Sequence, residues 1–150
     1  MSAEHEKSPA DEMRLSQICL EEAAEILKVS PRVAAREAYL AMLHAAQARI
    51  AATGRKVPSS HKGVNMVLGE IYRGTDFHAQ SLLAQMESWK MAADYGRSAA
   101  ANLEEAGEAI DIARDFISRV EIDIGPNKLR KGIDPAVLAA LAEINRENQR

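Results

Sequence analysis

The 150-residue chain is predicted to fold as an all-α protein, an antiparallel bundle of four to five helices carrying an extra C-terminal helix. Three observations predict it. Ala is abundant, aromatics are only 4% and β-branched runs are missing; Ala, Leu, Glu, Arg and Gln lose little rotamer freedom in a helix. Apolar residues recur at three- and four-residue steps along most of the chain. Helix-start residues and glycines punctuate it at helix-length intervals.

Met1 to Ala10 is charged, contains Ser8-Pro9 and has no apolar period, so residues 1–10 are expected to form a disordered tail. A first helix is expected from Asp11 to Lys28, with Leu15, Ile18, Cys19, Ala23 and Ile26 on its apolar face. Ser30 suits an N-cap and Pro31 a first helical turn, opening a second helix to about Thr53. Its stripe is Val33, Ala34, Leu40, Leu43, Gln47 and Ile50, and its many alanines let neighbouring helices come close. Gly54 is a natural terminator. The basic loop Arg55-Lys56-Val57-Pro58-Ser59 cannot be helical across Pro58.

Ser59 or Ser60 caps a third helix bearing Val64, Val67, Leu68 and Ile71, ending near Gly74. A fourth is expected from Thr75 or Asp76 to about Gly96, with Leu82, Leu83, Met86 and Trp89 on its face. Asn102 with Glu105 reads as a capping box for a fifth helix. There Leu103, Ala106, Ile110, Ala113, Ile117, Val120 and Ile124 form a regular seam suited to a bundle interior or a dimer. Gly125-Pro126-Asn127 breaks the chain, a basic linker follows, and Asp134-Pro135 starts a last helix to about Asn148. The bundle is therefore placed at residues 11–124, with linker and terminal helix at 125–150.

Composition excludes several function classes. A net charge of −3 and a pI near 5.8 supply no global positive field for nucleic acid, leaving only local basic patches. One cysteine, Cys19, excludes an internal disulfide and a cysteine metal cage, and its apolar helical setting fits an inert thiol. No apolar run approaches the ~20 residues of a membrane span. The polar, acidic N-terminus is unlike a signal peptide, so a cytoplasmic location is expected. No phosphate-cradling loop, dinucleotide fingerprint, HExxH or CxxC is present, and neither metal nor cofactor is expected.

His61 and Lys62 open a helix beside Arg55 and Lys56, where free N–H groups and cations could receive a phosphate; the plainer reading is a solvated capping loop. His44, one turn beyond Leu40, reads most simply as a hydrogen-bonded interior histidine. The acidic runs Glu21, Glu22, Glu25 and Glu104, Glu105, Glu108 read as solvated helix faces rather than metal ligands.

Three motifs in order carry a family resemblance: Ala35-Arg36-Glu37-Ala38-Tyr39-Leu40-Ala41-Met42-Leu43-His44-Ala45-Ala46, then His61-Lys62-Gly63-Val64, then Lys90-Met91-Ala92-Ala93-Asp94-Tyr95. Together they resemble the HEPN superfamily, in particular its small stand-alone prokaryotic members, over about Met13 to Ile124. The resemblance implies a helical bundle similar to nucleotidyltransferase substrate-binding domains, commonly a homodimer. It also implies work on RNA or nucleotides, often as a metal-independent ribonuclease in a toxin–antitoxin pair with a minimal nucleotidyltransferase partner; other members are non-catalytic assembly modules.

Nuclease members pair an Arg and a His four to six residues apart on one helix. Here Lys90 stands where the late arginine is expected, and it lacks a bidentate guanidinium. Arg55 with His61, and Arg73 with His78, meet the spacing only across loops. The nuclease motif is therefore expected to be degenerate or absent. Any catalysis would rest on His61 and Arg55, and phosphate binding on Lys56, Lys62, Arg36, Tyr39, His44, Lys90, Asp94 and Tyr95. The alternative is a non-catalytic homodimeric or partner-binding module built on the fifth-helix seam and the C-terminal helix.

Overall fold

The computed structural model describes residues 7–73, 77–94, 101–129 and 135–149, with side chains of 77–79, 92–94 and 135–138 left aside. Helices α1 (Pro9–Ile26), α2 (Pro31–Ala52), α3 (His61–Tyr72), α4 (Phe77–Asp94), α5 (Leu103–Ile124), α6 (Pro126–Leu129) and α7 (Pro135–Asn148) follow one another, and no strand occurs among the described residues. The chain is a helical bundle organised around α2, against which α1, α5, α4 and α3 all pack.

The first helix begins two residues before its expected start. Ser8 is its N-cap and Pro9 its first residue; the Asp11 amide donates to Ser8 Oγ at 3.1 Å and the Ser8 amide to Asp11 Oδ2 at 3.4 Å. What reads as a tail signal is a capping box, which satisfies two otherwise orphan donors. The helix stops at Ile26 rather than Lys28, because the Val29 and Ser30 amides both turn back to the Ile26 carbonyl. Ser30 then caps α2 through the Val33 amide.

Helix α2 does not show the single stripe expected of it. Val33 is 36% exposed, whereas Ala34, Ala35, Ala38, Ala41, Ala45, Ala46 and Ala48 are buried together with Tyr39, Met42, Leu43 and Ile50. A helix surrounded on most sides has no solvent face wide enough to define a stripe. Its alanines matter because interaxial distances of roughly 8–10 Å leave no room for long side chains at every crossing.

Gly54 takes φ +80° beyond the end of α2, a left-handed position glycine reaches without steric cost. Ser60, not Ser59, caps α3, its Oγ accepting from the Gly63 amide at 3.0 Å. A Cβ on Gly63 would lie 2.7 Å from the Pro58 Cβ, so a side chain there would collide with the loop that delivers the helix.

The α5 seam is interior. Ala106, Ile110, Ala113, Ile117, Val120 and Ile124 are buried, joined by Ala109 and Phe116, while Leu103 in the first turn is 52% exposed. The packing of α5 on α2, α1 and α4 buries the seam within one chain, the first of the two uses its spacing suggests. Asn102 Oδ1 accepts from the Glu105 amide at 2.8 Å, giving the forward half of the expected capping box. After Gly125 (φ +84°) part of the expected linker is the single turn α6, from which Lys128 Nζ reaches the Ala52 carbonyl at the end of α2 and Leu129 packs on the core. In α7, every residue from 139 to 149 is exposed.

Candidate phosphate-recognition site

Tyr39 belongs to the Ala-rich centre of α2 and is 1% exposed. An aromatic ring so enclosed needs a partner for its hydroxyl, and the partner arrives from the first residue of α3. Tyr39 Oη lies 2.9 Å from His61 Nδ1, with the two ring centroids 5.5 Å apart. The loop ending in Pro58 and the Ser60 cap fix where α3 starts, and therefore where His61 stands. The third member comes from α4: Lys90 Nζ is 3.3 Å from the same His61 Nδ1 and 5.2 Å from the centre of the Tyr39 ring. His61 and Lys90 are both partly exposed, so the cluster has a buried floor and an open edge.

The electrostatics are consistent with that arrangement. Burial and the Lys90 ammonium hold the His61 pKa below its usual value, only partly opposed by the Glu87 carboxylate one turn before Lys90. Burial, with help from Glu87, pushes the Tyr39 phenol up to about 12. At neutral pH the cluster is thus a neutral imidazole, a neutral phenol and a cation beside the amino end of α3. Such a set can donate hydrogen bonds to an anionic oxygen and offset its charge.

The remaining site expectations separate from this cluster. Arg55 pairs with Glu70 at 3.1 Å rather than with His61, and both partners are about half exposed, a setting in which an ion pair adds little. Lys56 lines an open cleft of about 730 Å³ with Lys7, Glu12, Arg55 and Ser60, whose lining includes none of Tyr39, His61 and Lys90. His44 Nδ1 meets Glu12 Oε2 at 2.8 Å across the α1–α2 contact, the interior hydrogen bond its position suggests. Lys62 and Arg36 are exposed. Tyr95 and the side chains of Asp94 and His78 lie outside the described residues.

Two features escaped the sequence reading. Glu87 faces both Tyr39 and His61 electrostatically; its only sequence signal is a position three residues before Lys90 on one helix. A polar cluster also ties α3 to α5: Tyr72 donates to Asp123 Oδ2 at 2.7 Å, Arg119 Nε donates to the same oxygen at 3.1 Å, and Arg49 lies over the Tyr72 ring. Burial and the Asp123 hydrogen bond push Tyr72 up to about 12. The i, i+4 spacing of Arg119 and Asp123 was legible, their partner on α3 was not.

Among the described residues no group of three or more His, Cys, Asp or Glu could hold a metal, and no helix is long and apolar enough to cross a membrane. The model of the HEPN domain family matches residues 19–123, from within α1 almost to the end of α5. The chain belongs to the HEPN family. No curated relative matches it. The matched region takes in all three members of the Tyr39–His61–Lys90 cluster, while α6 and α7 lie beyond it in this HEPN protein.

Proposed function

We propose that this HEPN protein recognises RNA or a nucleotide through a phosphate group at the Tyr39–His61–Lys90 cluster. It acts there as a homodimeric component of a toxin–antitoxin-like system with a minimal nucleotidyltransferase partner, and without nuclease chemistry of its own. The observation that carries the reading is the convergence of three residues far apart in sequence, from α2, α3 and α4, on one imidazole nitrogen. Two of them stand in motifs that resemble the family's, and Lys90 occupies the place of the late arginine. A lysine there supplies charge for a phosphate but no bidentate clamp for a transition state. Arg55, tied to Glu70, does not replace it.

The test is binding of a labelled single-stranded RNA pool to the purified protein, alongside cleavage of the same pool in EDTA. Binding should weaken by about tenfold in His61→Ala and in Lys90→Ala, with a shallower salt dependence for Lys90→Ala. Cleavage should be absent. Binding left unchanged in both variants sinks the reading.

A second reading is favoured by one observation. The α7 residues from 139 to 149 are exposed, including Leu141 and Ile144 at just over half, so this helix is available to a second copy or to a partner protein. In that reading the protein is a non-catalytic assembly module whose contact surface is α7.

A further inference from the structure

The hydrogen-bond chemistry around His61 limits what this histidine can do. A lysine ammonium has donors and no acceptor. Lys90 Nζ sits 3.3 Å from His61 Nδ1, and the Tyr39 hydroxyl sits 2.9 Å from the same atom. A proton on Nδ1 would point at a cation and leave the lysine without its acceptor. We infer that Lys90 and Tyr39 lock His61 as the Nε2–H tautomer, so that it serves as a neutral hydrogen-bond donor to a phosphate oxygen and not as an acid–base catalyst.

The consequence follows from imidazole chemistry. In the Nε2–H tautomer the only basic lone pair is on Nδ1, which is already engaged by Tyr39 and Lys90. The other nitrogen, Nε2, then carries its proton and cannot take another from a ribose hydroxyl. It can donate to an anionic oxygen, and donors aimed at a charge bind it more strongly than neutral acceptors. Among the described residues, the charged and titratable groups facing the ring are Tyr39 from α2, and Lys90 and Glu87 from α4. Burial and then Lys90 disfavour the charged ring, which keeps the donor in place at neutral pH. Lys90 is therefore a positioning residue for His61 as well as a charge for the ligand.

This inference rests on the phosphate-recognition reading for its ligand, but its tautomer is measurable without any ligand. Long-range ¹H–¹⁵N spectra of the ¹⁵N-histidine-labelled full chain at pH 7.5 should show His61 with Nε2 protonated and Nδ1 bare. Lys90→Met, checked by its melting curve, should release the ring to a mixed tautomer pattern. Titration with inorganic sulfate, whose charge does not change in this range, should then shift the His61 Nε2–H signal in the parent protein.

Substitution separates donor from catalyst. His61→Gln retains an amide N–H donor, so its binding of the RNA pool should stay within about threefold of the parent, while His61→Ala loses about tenfold. A His61 ring found protonated on Nδ1, or as imidazolium, at pH 7.5 overturns the inference whatever the binding shows. Metal-independent cleavage by the parent that vanishes in His61→Gln overturns it too. The expected tautomer with no response to sulfate or RNA overturns the phosphate reading and removes the ligand, leaving only the lock.

Discussion

At the residue scale, the behaviour of His61 is set by Tyr39, Lys90 and Glu87. Its pKa lies below the ordinary value because burial and Lys90 disfavour the charged ring more than Glu87 favours it. A histidine depressed in the folded state supports stability above its unfolded pKa of roughly 6.5, and that support fades as pH falls toward the folded value. The parent should therefore lose more melting temperature than His61→Gln between pH 7.5 and pH 5.5. Equal losses in parallel melts would show that the ring carries no such linkage. Cys19 shows the same logic for a thiol. Burial, with Glu37 and Glu22 nearby, pushes it up to about 11, so the inert thiol expected from its apolar setting follows from two separate causes.

At the scale of elements, α2 decides how the bundle packs. Its alanines are fully buried where longer residues would hold the neighbours apart, as at Ala38, Ala41, Ala45 and Ala46. Replacing one of them with a bulkier side chain forces the surrounding helices to shift. Ala45→Leu should destabilise the protein by about 1–3 kcal/mol. For a chain of this length that is roughly 2–4 °C in melting temperature for each kcal/mol, read by thermal denaturation. A neutral or stabilising result would mean that α2 has slack at its centre. Helix caps were the most legible part of the elements, since Ser30, Ser60 and Asn102 each accept from the amide three residues on. The first helix was set back by two residues because Ser8-Pro9 has the composition of a tail and the geometry of a cap.

For the molecule as a whole, the division lies at the end of α6. Lys128 satisfies the last turn of α2 and Leu129 packs on the core, so a cut after Gly125 removes part of the fold. A cut after Leu129 does not touch those contacts. A chain ending at Leu129 should keep its helical signal per residue and melt within a few degrees of the parent. An isolated helix of fewer than about 12–15 residues is marginal in water, and α7 has 14 residues. Its order therefore depends on a partner surface if it has one. Light scattering on the same truncation tests the assembly reading: a parent dimer that becomes a monomer favours it, and an unchanged assembly removes α7 as the contact.

The chain's local chemistry by itself determined the helical class, most helix ends and the α5 seam, because capping, glycine breaks and a 3.6-residue period act over a few residues. It also marked Tyr39, His61 and Lys90 as candidates, each within its own motif. Only the tertiary structure decided that these three meet on one nitrogen while Arg55 turns to Glu70 and His44 to Glu12. Side chains 22 and 29 positions from His61 become its neighbours through helix crossings. Those crossings depend on the volumes packed between helices, which no short stretch of sequence specifies alone.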